Sequence, residues 1–149
     1  MAAEYLALDQ NVSLNAPIIF EDSIPCRSGN IYHENHTGIL TLRGRTNNCF
    51  ARYQAIFNGN IAIPEGGTVT PIAVAITVSG EPRPSSKAII TPAAVDEFGN
   101  VTSTAIITVP RGCCFNLAVE AVPASSDPTV TPASVITVNN GNLTVDRIA

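Results

Sequence analysis

The feature of this sequence that most constrains its fold is a strict two-residue alternation in residues 50–63. Tyr53, Phe57 and Ile61 fall on one face of this segment, and Arg52 and Asn58 fall on the other. Alternation over this length is typical of a β-strand with one buried face. The Pro-Glu-Gly-Gly sequence at residues 64–67 then ends the strand, because proline and paired glycines interrupt regular backbone.

A second strand is predicted at residues 71–78, and neither of its faces carries a charge. Its two faces are the set Ile72, Val74, Ile76 and Val78 and the set Ala73, Ala75 and Thr77. Small, apolar residues on the second face indicate a strand that is covered on both sides. Because the chain has only 149 residues, we expect a second subunit to supply part of that cover.

The charge content supports the same interpretation. Charged residues make up 13% of the chain, against a usual value of roughly 25%. Lys87 is the single lysine, and 45% of the residues are hydrophobic. One explanation is a surface rich in Thr, Asn and Ser that needs no charge. We favour the other explanation, in which copies of the chain bury much of the surface by assembling.

Charge and hydropathy also exclude several classes of partner. The net charge is −4 and the arginines are scattered, so the sequence offers no basic patch for nucleic acid. It has no apolar run long enough to predict a transmembrane helix. Because no secretory signal is visible at the N-terminus, we expect synthesis in the cytoplasm of a host cell.

The rest of the chain predicts an all-β protein. Strand patterns recur at intervals of roughly 8–12 residues from residue 10 onward, without an amphipathic helix. This spacing predicts an antiparallel two-sheet sandwich of about 8–10 strands in a single domain, residues 10–149. Residues 1–9 are interpreted as an N-terminal arm or helical turn, residues 10–20 as the first strand and residues 21–30 as a loop. Asn140-Gly141 predicts a hairpin near the C-terminus.

Four cysteines are candidates for disulfide bonding: Cys26, Cys49, Cys113 and Cys114. None of them has the C-x-x-C spacing of a zinc site. Cys113 and Cys114 are adjacent and would point to opposite faces of a strand. Two interpretations remain open. The thiols are free in a reducing compartment, or Cys113 or Cys114 bonds to Cys26 or Cys49, within or between subunits, in oxidising surroundings.

The remaining polar clusters do not predict a catalytic or metal site. His33, Glu34 and His36 lack the H-E-x-x-H spacing, and on a strand the two histidines would face opposite ways. The acidic pairs Glu21-Asp22 and Asp96-Glu97 have the oxygen ligands that Ca²⁺ uses, but solvated turns carry such pairs more often. No nucleophile–histidine–acid pattern is present, so we expect no enzymatic activity and no cofactor. Two proline-rich loops, residues 81–86 and 123–132, are candidate contact surfaces.

The order of these features resembles the tumour necrosis factor-like jelly roll. The segments that carry the resemblance are TGILTLRG, RYQAIFNGNIAIP, IAVAITVSG, TAIITVPRGCCFNLAVEAVP and NLTVDRIA. The globular heads of complement-type collagens and bacterial collagen-like spore-surface proteins share this fold. The chain looks most like small, collagen-free versions found among structural proteins of tailed phages of gut Firmicutes. It departs from the family in lacking a collagen-like or coiled stalk.

The resemblance implies a tight homotrimer around a three-fold axis. We expect the trimer interface to be formed by Tyr53, Phe57, Ile72, Val74, Ile76, Val78, Phe115 and Leu117. The expected role is that of a capsid decoration protein, located on the virion surface and bound to the major capsid protein or another virion protein. The alternative is a trimeric head on a fibre tip or bacterial surface that binds a host-surface protein or glycan. The lack of tryptophan and the few tyrosines speak against a glycan site.

Overall fold

The computed structural model describes residues 2–24 and 29–149, which form two facing antiparallel sheets. Twelve strands lie within these residues: β1 (Ala2–Leu6), β2 (Gln10–Ser13), β3 (Asp22–Ile24), β4 (Ile31–His33), β5 (Leu40–Arg43), β6 (Phe50–Ala62), β7 (Ile72–Val78), β8 (Glu81–Pro82), β9 (Ala88–Ile90), β10 (Gly99–Pro110), β11 (Cys114–Val122) and β12 (Val135–Arg147). A 3₁₀ turn, Pro84–Ser86, lies between β8 and β9. The predicted all-β, two-sheet architecture is confirmed.

The strand order defines two sheets of six strands among the described residues. Sheet A has the order β10-β6-β12-β1-β3, and β2 pairs with β12 beside it. Sheet B has the order β4-β5-β11-β7-β8, and β9 also pairs with β7. Strands β6 and β7, which are consecutive along the chain, lie in different sheets, so the connection between them crosses the sandwich.

The alternation predicted for β6 is present in the structure. Tyr53 and Phe57 are fully buried, whereas Arg52 and Ile56 are exposed on the other side. The buried face packs against sheet B, and burying each large apolar side chain stabilises the fold by about 1.5–3 kcal/mol. The largest fully buried apolar side chains are Tyr5, Tyr53, Phe20, Phe57, Ile18, Leu40, Leu42, Ile61, Ile63, Ile76, Ile107 and Leu117.

The second face of β7 is covered by this chain and not by a partner. Ala73 and Ala75 are buried on the outer side of sheet B, where they cluster with Val122 and the partly buried Ala124. Thr77 is also buried, and its hydroxyl donates to a carboxylate oxygen of Glu120 at 2.9 Å. Small side chains are shielded by the larger ones that flank them. The two-sided apolar pattern of β7 therefore gives no indication of a subunit contact.

The N-terminal segment is a strand and not an arm. β1 lies inside sheet A between β12 and β3, and its residues Ala3 and Tyr5 are buried. Its pairing with β12 runs from Ala2 opposite Asp146 to Leu6 opposite Asn142. A five-residue alternation is too short to identify in sequence, because its partner strand is about 140 residues away. The predicted loop at residues 21–30 likewise contains β3.

Asn140-Gly141 forms a bulge and not the predicted hairpin. β12 runs without a break through this dipeptide, and Asn140 has a left-handed backbone with φ of 55°. Asn60 pairs with Asn139, whereas Asn58 pairs with Asn142, so β12 holds one extra residue against β6. Asparagine accepts positive φ more readily than most residues, which serves a bulge as well as a turn.

The predicted first strand is also shorter in the structure. β2 ends at Ser13, and the chain then crosses to sheet B. There, the backbone N–H of Asn15 donates to the Ala121 carbonyl at 2.7 Å, and Pro17 bridges to Glu120. Residues 10–20 therefore contribute to both sheets.

Replacing Ile107 by alanine tests the facing-sheet core. Ile107 is fully buried on β10, so Ile107→Ala should lower the free energy of unfolding by about 2–5 kcal/mol. Ile89→Ala is the matched control, because Ile89 is 51% exposed and should change stability by less than about 1 kcal/mol. Urea denaturation at one protein concentration measures both values. Equal effects of the two substitutions would contradict this assignment of the core.

Candidate functional site

The outer face of sheet A is a broad surface that is poor in charge. Ile106 of β10 is 54% exposed there and lies beside Gln54 of β6. Ile56 of β6 is 37% exposed and lies between Thr104 and Thr144. Arg52 of β6 and Asp146 of β12 are charged residues on the same face, but the residues directly paired with Ile56 and Ile106 are uncharged, which lowers the cost of removing these side chains from water.

Strand β10 is one edge of this sheet. Among the described residues, β6 is the one strand paired with it, over all twelve residues from Gly99 to Pro110. None of these residues is charged. Edge strands of soluble proteins are usually short or carry charged residues, because unpaired N–H and C=O groups invite pairing with another chain. β10 lacks the charges that would discourage such a contact.

Next to this edge, asparagine side chains form a hydrogen-bonded network across the sheet. The Asn100 amide donates to the side-chain oxygens of Asn58 at 2.9 Å and Asn60 at 3.1 Å. The Thr102 hydroxyl donates to the same Asn58 oxygen at 3.3 Å, and the Asn60 amide donates to Asn140 at 3.4 Å. These side chains are already ordered, so contact with a partner would cost less conformational entropy than it would for free side chains.

A cleft of about 640 Å³ opens at one end of the sandwich. It lies between residues 63–70, which follow β6, and residues 130–135, which precede and begin β12. Its lining is mostly apolar or threonine, with Glu65 as its one charged residue and Val69 exposed at its wall. The first residue of β1 pairs near the opposite end of β12, so the cleft faces away from both chain termini.

The loop beside this cleft is ordered by Asp127. The Thr129 backbone N–H donates to the Asp127 carboxylate at 2.9 Å and its hydroxyl donates at 2.8 Å. These two bonds hold the pKa of Asp127 below its ordinary value. Their support for the loop is present above the ordinary pKa and is lost as the pH falls through the lowered one. The Val130 N–H also bonds to the Asp127 carbonyl, which fixes Val130 at the cleft.

The side chains predicted to form the trimer interface lie in the interior of the single chain. Six are fully buried between the sheets: Tyr53, Phe57, Ile72, Val74, Ile76 and Leu117. Val78 and Phe115 are partly buried and pack against the same core. The Tyr53 hydroxyl even reaches the other sheet, where it bonds to the Arg43 carbonyl at 2.5 Å. The six fully buried residues have no surface left for a subunit, so we do not retain them as interface residues, whereas Val78 and Phe115 keep some exposed surface and stay predictions.

The sequence reasoning missed the residues on the opposite face of the same strands. Ile56 and Ile106 interrupt runs of polar residues at positions whose neighbours on that face are Asn, Gln or Thr. An isoleucine at the solvent-facing position of an alternating strand was the available signal. It was overlooked because the opposite face is far more apolar.

The two histidines of the HENH segment do not act together. His33 packs edge-on against Tyr5, with ring centroids 4.9 Å apart, and its Nε2 bonds to the Thr37 carbonyl at 2.8 Å. His36 is largely exposed and lies 3.6 Å from the Glu21 carboxylate. His33 is thus a packing residue of the fold. In the part of the chain that the structure describes, no group of three His, Cys, Asp or Glu side chains could hold a metal ion.

The other predicted candidates are placed as follows. Asp96 and Glu97 are exposed in a turn before β10, while the Asp22 side chain lies outside the described residues. Cys49, Cys113 and Cys114 are free and exposed. Cys26 lies outside the described residues. Within residues 2–24 and 29–149, no helix has the length and apolar character that a membrane crossing needs.

Comparison with known proteins identifies the fold. No family model matches the chain, and no curated protein matches it in sequence. The solved structures that it resembles include the globular domain of zebrafish complement 1qA (TM-score 0.64, 13% identity, covering 99% of this chain and 97% of that one). Murine APRIL at pH 5.0 matches with a TM-score of 0.63, 9% identity and coverage of 99% and 98%. Eiger TNF from S. frugiperda gives 0.64, 11% identity and coverage of 100% and 92%. The predicted tumour necrosis factor-like jelly roll is therefore confirmed as the fold.

Removing the hydrogen bond of His33 tests its role in packing. His33→Phe keeps a ring against Tyr5 but removes the Nε2 bond to the Thr37 carbonyl, which retains the Phe20 N–H at 3.2 Å, so the loss should be about 0.5–1.5 kcal/mol in unfolding free energy. His36→Ala is the control and should change stability by less than about 0.5 kcal/mol, because its side chain is 72% exposed. Urea denaturation at neutral pH measures both. A larger loss in the His36 variant would refute the assignment.

Proposed function

We propose that this chain is a non-enzymatic assembly protein that works as a homotrimer. The outer face of sheet A and its edge strand β10 would form the contact between subunits. The observation that carries this proposal is that all twelve residues of the edge strand β10 are uncharged and that one of them, Ile106, is an exposed isoleucine. A jelly-roll fold that matches the globular domain of complement 1qA and the tumour necrosis factor Eiger is consistent with a binding or structural role.

The dimensions of this surface suit such a contact. Twelve strand residues span about 40 Å, and three neighbouring strands are together about 15 Å wide. A stable interface buries about 800 Å² on each partner, which is of the same order as this face. The energy would come from covering Ile56 and Ile106, while the ordered asparagine network would supply hydrogen bonds without an ion pair.

We further propose that the trimer is a decoration protein on the capsid of a tailed phage. Support comes from the low charge of the chain and from the resemblance to small, stalkless jelly rolls of phage structural proteins. Because β1 is integrated into sheet A, docking would use a face or loop set of the folded trimer instead of a free N-terminal arm. Its partner would be the major capsid protein or another virion protein.

The loop cleft favours a second candidate function, a head that binds a host-surface protein or glycan. The cleft is about 640 Å³, within the range of ligand sites, and it faces away from both termini. A head attached through a terminus would therefore present this cleft to its target. Val69 lines this cleft and is exposed to solvent, so a substitution there would alter the cleft.

Sedimentation with two kinds of particle distinguishes the two roles. A decoration protein should pellet saturably with phage capsids that lack it, and Val69→Arg should leave this binding unchanged. A receptor-binding head should pellet with host cells instead, and Val69→Arg should abolish that binding by placing a bulky, charged side chain at the wall of the cleft. Failure to pellet with either particle would contradict both roles.

A lysine at position 106 tests the trimer itself. Light scattering of the wild type should give three times the 15.6 kDa chain mass. Ile106→Lys should give the mass of one chain at micromolar concentration, because the ammonium group would have to be buried in the contact. Ile89→Lys is the matched control, since Ile89 is 51% exposed but lies in sheet B. A monomeric wild type, or equal effects of the two lysines, would refute the proposed contact.

A further inference from the structure

Two connections cross between the sheets at the same end of the sandwich, close to the chain termini. Residues 44–49 lead from β5 in sheet B to β6 in sheet A, and residues 111–113 lead from β10 in sheet A to β11 in sheet B. They are bonded to each other through three backbone hydrogen bonds. Arg111 N–H donates to Cys49 O at 2.9 Å, Gly112 N–H to Gly44 O at 3.0 Å, and Gly44 N–H to Cys113 O at 2.8 Å.

These crossings are packed too tightly to move apart freely. A Cβ atom at Gly44 would lie 2.1 Å from the Pro110 carbonyl oxygen, so the two backbones touch there. Gly112 has a φ of 78°, and the Cys113 N–H closes a turn onto the Pro110 carbonyl at 3.0 Å. This is the geometry of a tight turn with glycine at its third position. The geometry holds the two cysteines of the crossings in a fixed relation.

The hydrogen bonds between the crossings hold Cys49 and Cys113 at the same end of the sandwich. Cys49 directly precedes β6, and its carbonyl accepts from the Arg111 N–H at 2.9 Å. Cys113 lies two residues after Arg111 and directly precedes β11, and its carbonyl accepts from the Gly44 N–H at 2.8 Å. Both residues are exposed, so reagents in solution have access to them.

Cys114 is a residue of β11 and lies on the outer face of sheet B, away from the core. It pairs with Arg43 of β5 and alternates with the core-facing Phe115. A bond between the adjacent Cys113 and Cys114 would need a strained ring, because neighbouring strand residues point to opposite sides. Cys114 is therefore the least suited of the three to join Cys49 or Cys113.

We propose that Cys49 and Cys113 are a modification site at which a small-molecule disulfide such as oxidised glutathione forms a bond between the two sheets. One thiolate attacks a sulfur of the reagent, forming a mixed disulfide and releasing one thiol. The second cysteine then attacks the mixed disulfide through its own thiolate, releasing the second thiol. The protein loses two electrons and two protons, and both are recovered in the two reduced thiols. This site does not depend on the proposed trimer.

The bond would stabilise the fold by closing a long loop. It would link the start of β6 to the start of β11, so the unfolded chain would lose much of its freedom. For a domain of this size we expect a rise in Tm of about 5–15 °C on oxidation, reversed by reductant. The mass in solution should not change, because both cysteines belong to one chain.

Peptide mapping with serine variants tests the pairing. Trypsin places Cys49 in TNNCFAR, Cys26 in residues 1–27, and Cys113 and Cys114 together in the peptide from residue 112 to residue 147. After oxidation with glutathione disulfide, mass spectrometry without reductant should find TNNCFAR linked to the peptide from residue 112.

Three variants then identify the partner of Cys49. Cys113→Ser and Cys49→Ser should each abolish both the link and the rise in Tm, whereas Cys114→Ser should keep both. A link lost in Cys114→Ser and kept in Cys113→Ser would overturn the proposal. So would a link to the peptide that contains Cys26, bonds between chains on a non-reducing gel, or no link at all. Light scattering of the same samples reports separately on the trimer.

Discussion

The structure depends on strand β6, which is hydrogen-bonded on both sides along most of its length. It pairs with β10 over twelve residues and with β12 over two runs separated by the bulge. Its inner side chains, including Tyr53 and Phe57, form much of the contact with sheet B. Because both the sheet and the core require this strand, its alternation is the strongest signal in the sequence. The same strand order places β10 at an edge of sheet A and β6 beside it, and these two strands carry the exposed Ile106 and Ile56 on the outer face.

Patterns inside a single strand could be predicted, and pairings between distant strands could not. The long alternation of β6 indicated its inward face correctly. β1 was missed because its five residues carry little pattern without β12 beside them. Asn140-Gly141 was read as a turn because positive φ serves a turn and a bulge equally. Only the pairing of β12 with β6 decides between them.

The candidate surface shows a related limit of sequence reasoning. The most apolar residues of β6 and β7 were expected to meet another subunit, but the chain's own second sheet covers them. A surface that must remain in water before it finds a partner has to be less apolar than a core. Ile56 and Ile106 among threonines and asparagines meet that condition, and such a pattern is weak in a single sequence. The loop cleft could not be predicted either, because it needs two loops that are distant in sequence.

The position of β12 has a consequence for how the protein is made. β12 lies between β6 and β1, so a strand formed from residues 135–147 occupies the middle of sheet A. During synthesis, β1 has neither core nor neighbour on that side until residues 135–147 have left the ribosome. Sheet A therefore cannot be completed until residues 135–147 are available to pair. Such long-range pairing is slow, and the waiting strands are exposed to aggregation during that time.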